Sequence, residues 1–534
     1  MLRKKTNMNK IFIVLLIFIA LSCEKESKKK EVTLVKAPIL AILVEGKSVF
    51  IDSLLLKPFH SDVLKEFYQA SIYKSVWQSK KNRTNILKQL SNSKEEGLNP
   101  ENYNVNKLQK FEENYDALKD SEKAEYDILL TYSLQKYISH FTNGKINPSN
   151  LYENWDLNRN SIDINKTLAL LLKSDSLEYK IEQLKPNHVV YKSLKKALRI
   201  IDSFPNDDFT TIEIASKIVL NDTNPSLVAI KKRLIYWKDM KSKNSLSSIY
   251  DGETNDAIKK FQTRHGLAAD GVIGKGTIDA LNFSKQKRKQ QIVANLERWR
   301  WFPKEMGDEY LIVNIPDYKL ILVKDNDTMR THKVVVGRDK RPTPVLSSRL
   351  SNVILSPTWT VPPTILKEDM IPSIVRNRNY LAKTNIKVFD SNGNEVTANN
   401  WKLSNAKSYR YVQTPGVFNS LGMVKFSFPN RFSIYLHDTN HRDFFEKQRR
   451  SLSSGCVRVQ NPLELAEYLL GDKANWNIEK ITEILQSKNT KNVTIKNEVG
   501  VHILYWTAWS EKNTLIFRED IYNLDAELYQ KLSK

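Results

Sequence analysis

Cys456 is one of only two cysteines in this 534-residue chain. It stands in Ser453-Ser454-Gly455-Cys456-Val457-Arg458-Val459, after a small-residue turn and before a β-branched stretch. A thiol so placed acts as a nucleophile if a base or a positive potential draws off its proton. It also needs N–H donors for the oxyanion that forms when it attacks a carbonyl. Gly455 lets backbone amides approach, and Arg458 adds positive potential that favours thiolate or receives a substrate carboxylate. The bland alternative is a buried, inert cysteine, and the cysteine count alone does not separate the two. Of the eight histidines, His437 ends a β-type run 19 residues before Cys456. His60, His140 and His188 fall in helical sequence and His265 in a separate compact unit, while His441 and His502 remain competitors for the base. His437 and His441 have the i, i+4 spacing of a metal pair, but no third ligand stands at a recognisable spacing. No G-x-S-x-G elbow or S-x-x-K is placed where a fold would present it. We therefore expect neither a metal nor a cofactor.

These residues need a β framework, and the sequence supplies one. Leu311–Ile315, Leu320–Val323 and Lys333–Gly337 are short β-branched runs bounded by Pro, Asp and Asn. Val424–Phe428 and Arg431–His437 flank Pro429-Asn430 as an expected hairpin. A β-rich domain over roughly 305–510 follows, within a C-terminal unit of 290–534 that ends in an extension at 480–534. Inside it, 365–410 has helical and polar loop character and reads as an insertion over one face, a natural lid. Upstream, apolar residues recur at helical spacing from Val63 to Trp77 and from Tyr126 to Phe141, so 57–220 reads as an all-helical domain. Three short amphipathic helices at 224–283 form a further unit, with turns at Asp251-Gly252 and Asp270-Gly271. The fold class expected is α+β multidomain.

At Asp256–Asn282, the motifs Phe261-Gln262, His265-Gly266-Leu267 and Asp270-Gly271-Val272-Ile273-Gly274 resemble the three-helix peptidoglycan-binding domain of bacterial wall enzymes. "YLHD" at Tyr435–Asp438 and "SSGCVRV" at Ser453–Val459 resemble the paired signature of the YkuD-type L,D-transpeptidase domain. "NLERWRWFP" (Asn295–Pro303), "WTVPPTI" (Trp359–Ile365), "LGMVKFSFPN" (Leu421–Asn430) and "LYWTAW" (Leu504–Trp509) are similar to the large YcbB-like branch, whose helical part serves as a scaffold domain. The resemblance implies that Cys456 attacks the third residue of a donor stem tetrapeptide and expels the terminal D-alanine. A second stem's amine then takes the acyl group in a 3→3 cross-link. His437 would be the general base and acid, with backbone N–H groups near Gly455 and Cys456 holding the oxyanion. Arg458 would bind a substrate carboxylate, while Tyr435, Ser454 and Asp438 would contact substrate or orient the site. The same nucleophile with water as acceptor would make an L,D-carboxypeptidase, and a dead domain would leave a wall-binding lipoprotein.

The chain opens with Arg3, Lys4, Lys5 and Lys10, then an unbroken apolar run from Ile11 to Leu21, then Ser22 and Cys23. This reads as a removed signal peptide at 1–22, too short in its apolar part for a membrane span of about 20 residues. Cys23 directly after it resembles a lipobox, so lipidation at Cys23 and a polar tether at 23–56 are expected, on the periplasmic side of the cell envelope. The net charge falls from +23 to +19 once the four N-terminal cations leave with the leader. In an exported protein that basic balance points to carboxylate-bearing peptidoglycan stems, glycan strands and an anionic membrane surface rather than to nucleic acid.

Overall fold

The computed structural model describes residues 47–157, 160–472 and 474–534. The expected leader, the lipidation at Cys23 and the first half of the tether lie outside the described residues. No described helix is long and apolar enough to cross a membrane.

Helices Asp62–Ala70, Lys80–Ser91, Val105–Glu113, Asp120–Asn143, Ile164–Leu172 and Leu177–Leu184 enclose a core of their own. Their starts are fixed by side-chain caps: Ser61, Ser79 and Asp163 accept the amides of Leu64, Asn82 and Lys166. The expected helix through Trp77 stops at Ala70, because Ile72 and Tyr73 turn to φ 53° and 51°. The chain leaves the helix there so that Val76 and Trp77 can each give an amide, at 2.8 Å, to the buried Asp127 carboxylate. Nor is 57–220 wholly helical. Trp155–Asp156 is a short strand paired in parallel with Val345–Leu346 of the β domain, and helix Val189–Asp202 buries its apolar face in a second, larger core.

That second core also holds helices Ser226–Tyr236, Gly252–Arg264 and Lys275–Leu281, the three read from the sequence. Helix Lys285–Trp301 is buried on every side from Gln291 to Trp301, so it packs as a central strut rather than an amphipathic surface helix. Two of its three buried arginines are paired, Arg300 with Glu297 and Arg298 with Asp525.

The β domain is a twelve-stranded sheet. Its strands run in the order Trp155–Asp156, Val345–Arg349, Gly500–Leu504, Glu309–Asn314, Lys319–Lys324, Asp327–Gly337, Val457–Val459, Leu436–His437, Val424–Ser427, Asn352–Leu355 and Lys491–Thr494. Ser451–Ser453 pairs separately with Asp327–Gly337. The residues 480–534 are thus no appendage: Gly500–Leu504 lies inside the sheet, between Val345–Arg349 and Glu309–Asn314. The expected tight hairpin at Pro429-Asn430 is a wider loop, since only Leu436–His437 of the second run pairs with Val424–Ser427. Asn430 spans that loop by holding the carbonyls of Phe428 and Ile434 and the amides of Phe432 and Ile434.

The insertion has more order than its sequence suggested. Strands Trp359–Thr360, Arg410–Gln413 and Ile386–Phe389 form a three-stranded sheet. With helix Ile371–Arg376 they enclose a small core around Met370, Trp401 and Tyr411. Sequence reading missed the strands because each is no longer than four residues and is flanked by polar loop.

Candidate active site

Leu436–His437 and Val457–Val459 are parallel neighbours, with Leu436 opposite Val457 and His437 opposite Arg458. Parallel neighbours need a long crossover, and residues 438–456 supply it, so two segments far apart in sequence lie side by side. Because side chains alternate along a strand, Leu436 and Val457 face the core, fully buried. Tyr435 and His437 share the opposite face with Cys456 and Arg458. The rings of Tyr435 and His437 meet edge to face at 5.5 Å.

On the other side of His437 the antiparallel register places Lys425 directly opposite it. A lysine, a histidine and an arginine therefore form one row across three strands. Burial, then the charge of Arg458, push the His437 pKa down to about 3 against the opposing effect of the Asp438 backbone, with Lys425 adding the smallest downward push. The imidazole is a neutral base at any physiological pH. Its Nδ1 is buried without a hydrogen-bond partner among the described residues.

Cys456 is half-buried. Desolvation raises its thiol pKa, while the backbone and phenol of Tyr435, then the charges of Lys425 and Arg458, favour the thiolate. The phenol is in turn held by Trp359 of the insertion, and the Lys425 ammonium sits 4.1 Å from the Tyr435 ring centroid. Among the described residues Lys425 has no carboxylate partner, and burial lowers its pKa. Arg458 carries two buried donors, Nε and Nη1, with no partner, and its guanidinium lies 5.4 Å from the Phe444 ring.

The loop before the thiol is fixed by short polar contacts. Gly455 has φ +114°, a conformation that L side chains rarely adopt. Its carbonyl accepts from Thr343 Oγ1 at 2.8 Å, and the Cys456 carbonyl accepts from Ser453 Oγ at 2.6 Å. Of the two amides expected to face the oxyanion, that of Gly455 donates to Ser453 Oγ at 3.1 Å. The amides of Ser454 and Cys456 have no partner among the described residues, and that of Cys456 is the one at the thiol itself.

Ser454 and Asp438 are drawn elsewhere. Ser454 is exposed and accepts from Arg341 at 3.0 Å. Asp438 takes the Met423 amide and Arg442, fixing the turn at Gly422 rather than the imidazole. The competing histidines are also placed away. His502 is held by Ser347 and the Met306 carbonyl, and His441 is exposed and stacked on Phe444. No group of three or more His, Cys, Asp or Glu among the described residues could hold a metal ion.

Lys425, Trp359, Thr343 and Arg341 were assigned no role from the sequence. The signal for Lys425 was present: in Val424-Lys425-Phe426 it is the polar residue between two core residues, so it must share a face with whatever its hairpin partner offers.

Three regions match known domain families: residues 62–198 a scaffold domain, 223–281 a "Putative peptidoglycan binding domain" and 308–493 an L,D-transpeptidase catalytic domain of the YkuD family. A "Putative L,D-transpeptidase" of Haemophilus influenzae is 34% identical over 284 residues, 52% of this chain and 57% of that protein. The chain thus spans little more than half the length of that curated relative. Solved L,D-transpeptidases from Xylanimonas cellulosilytica and Stackebrandtia nassauensis are 14% and 13% identical, cover 55% and 56% of this chain and 99% and 97% of their own, and superpose with TM-scores of 0.18 and 0.20. Those scores are too low to bear on the fold.

Proposed function

We propose that this chain, which carries a YkuD-type L,D-transpeptidase catalytic domain beside scaffold and peptidoglycan-binding domains, forms 3→3 cross-links in peptidoglycan through a thioester on Cys456. The observation that supports this most is the block of four side chains across one parallel strand pair, Tyr435 beside Cys456 and His437 beside Arg458. Thiol and imidazole are both neutral at rest, so proton transfer accompanies attack: as sulfur bonds to the carbonyl carbon of the third stem residue, its proton passes to His437. The free Cys456 amide is the donor available to the oxyanion, and one such donor is worth about 3 kcal/mol in comparable sites. The carbon–nitrogen bond to the terminal D-alanine then breaks, and His437 returns the proton to the departing amine. A side-chain amine of a second stem attacks the thioester, loses its proton to His437 and displaces sulfur, which recovers it.

Arg458, with two unused buried donors, and Lys425, with no acid of its own, suit the carboxylates of a stem peptide. A leader at 1–22 and lipidation of Cys23 belong to the same reading, which puts the enzyme in the cell envelope; labelling with a fatty-acid analogue tests the anchor. The activity is tested by incubating wild type and Cys456→Ala with tetrapeptide stems and reading muropeptides by mass spectrometry. Cross-linked product and free D-alanine are expected from wild type alone. Identical products from both proteins would defeat the reading, and tripeptide monomers from wild type would make water the acceptor.

A further inference from the structure

A cavity of about 540 Å³ lies between helix Lys275–Leu281, the start of helix Lys285–Trp301 and the segment after strand Thr514–Phe517. It joins the 223–281 domain to the C-terminal part of the chain, and Cys456 is not among its lining residues. Arg288 lines it, only 5% exposed, with its guanidinium carbon 4.4 Å from the ring centroids of both Phe283 and Phe517. Of its five N–H donors, one reaches Gln291 Oε1 at 3.0 Å and one the Ala280 carbonyl at 3.1 Å.

The charges around the cavity do not cancel. Asp279 is paired with Lys275, Glu519 lies 3.8 Å from Arg449, and Asp525 is bound to Arg298. Asp520 accepts the Tyr505 hydroxyl and the amides of Leu524 and Asp525. Arg518 has Asp317. Among the described residues, Arg288 and Lys287 are the lining cations that form no ion pair, and Asp520 is the lining acid that forms none. A buried cation without an ion pair is costly unless something completes it, and burial, then the charge of Arg264, disfavour the charged form of Arg288 against a smaller opposing effect of Asp525.

We infer that this cavity is a second binding site, for the carboxylate end of a peptide, which docks on Arg288 between Phe283 and Phe517. A guanidinium within 4.4 Å of two ring centroids is held in place by them, and its N–H fork is the group that receives a carboxylate side-on. A dianion such as phosphate is disfavoured by the four acidic side chains close by, and the apolar surface of Leu267, Ala280 and the two rings suits a small side chain next to the carboxylate. The inference rests on the proposed function only for the identity of that peptide, a peptidoglycan stem. Its place then makes the 223–281 domain and the C-terminal segment a joint clamp on a stem other than the one under attack.

The test is calorimetric titration of the full chain carrying Cys456→Ala with a stem tetrapeptide and with its C-terminal amide. Two equivalents of the acid are expected, and the second is lost with the amide. Arg288→Met should abolish the second equivalent. Gly276→Leu, which fills the cavity from a helix position where a side chain meets nothing closer than Leu267 at 3.7 Å, should do the same without touching the buried cation. Uptake of a single equivalent by the Cys456→Ala protein, or of two by the Gly276→Leu variant, overturns the inference. Failure of the proposed activity reads separately, as an Arg288-dependent equivalent in a protein whose wild type does not turn the peptide over.

Discussion

Tyr435 turns both its backbone and its phenol toward the thiol of Cys456, and both favour the thiolate. Desolvation acts the other way and is the largest effect on that thiol, so Tyr435 is what keeps a half-buried cysteine usable. A hydrogen bond to a charged group is worth about 1.5–3 kcal/mol, and about 1.4 kcal/mol is a factor of ten. Tyr435→Phe should therefore slow alkylation of Cys456 by iodoacetamide at pH 8 about tenfold and move the pH profile to higher pH. An unchanged profile would mean that the phenol does not serve the thiol.

The row Lys425, His437, Arg458 makes a second prediction. With His437 held near pKa 3 by burial and two cations, and the thiol raised above its usual value, no thiolate–imidazolium pair exists in the resting enzyme. Alkylation should rise with pH without an acid-side step between pH 5 and 7; such a step would reveal the ion pair. Lys425→Met takes away one of the charges that favour thiolate, so alkylation should slow several-fold, and Lys425→Arg should restore it. His437→Asn should lower kcat by about 10²–10⁴, the usual yield of general acid–base catalysis.

Much of this site was legible in the chain. The spacing of His437 and Cys456, each at the end of or beside a β-branched run, announced two strands carrying chemistry, and the alternation in Val424-Lys425-Phe426 announced a third. What a single sequence does not carry is which strands are neighbours: the parallel pairing of Leu436–His437 with Val457–Val459 is set by the path of 438–456. Without that pairing Tyr435 cannot be recognised as the residue beside the thiol, nor Lys425 as a neighbour of the base. The same holds for Gly500–Leu504, whose Val501, Ile503 and Leu504 read as buried but whose place inside the sheet is a matter of topology. Loop hydrogen bonds were equally hidden, such as the one the Gly455 amide gives to Ser453 Oγ.

Acid should weaken the fold through its buried histidines. Burial lowers the pKa of His140 to about 3, His188 to about 4 and His437 to about 3, from 6.5. Each contributes stability that is whole above pH 6.5 and is lost as pH falls from there toward its folded value, because the unfolded chain binds the proton first. The loss is at most about 1.4 kcal/mol per pH unit for each. Asp127 and Asp525, raised to about 6 by burial, act in the opposite sense as they protonate between about pH 6 and 3.8. With two carboxyls against three histidines, Tm by calorimetry should fall between pH 7 and 5, and His140→Gln should flatten that slope. A Tm that rises on acidification would refute the assignment.

The insertion is tied to the Ser454–Cys456 loop by one residue. Arg341 pairs with Glu368 and Asp369, donates to Ser454 at 3.0 Å, and its neighbour Arg338 also reaches Asp369. Arg341 is only partly exposed, so these pairs are screened less than an ordinary surface pair. On the far side Trp359 holds the Tyr435 phenol and Tyr435 packs against the insertion's core, so the insertion grips the site from two directions. If its role is to exclude water while the thioester waits for an amine, loosening one grip should change the acceptor rather than the first step. Arg341→Met is expected to leave release of D-alanine within about twofold of wild type, an effect under about 0.5 kcal/mol, while the share of tripeptide rises at the expense of cross-linked dimer. Mass spectrometry of muropeptides from a single time course measures both. Equal loss of D-alanine release and of dimer, with the product ratio unchanged, would show instead that Arg341 only supports the fold of the Ser454 loop.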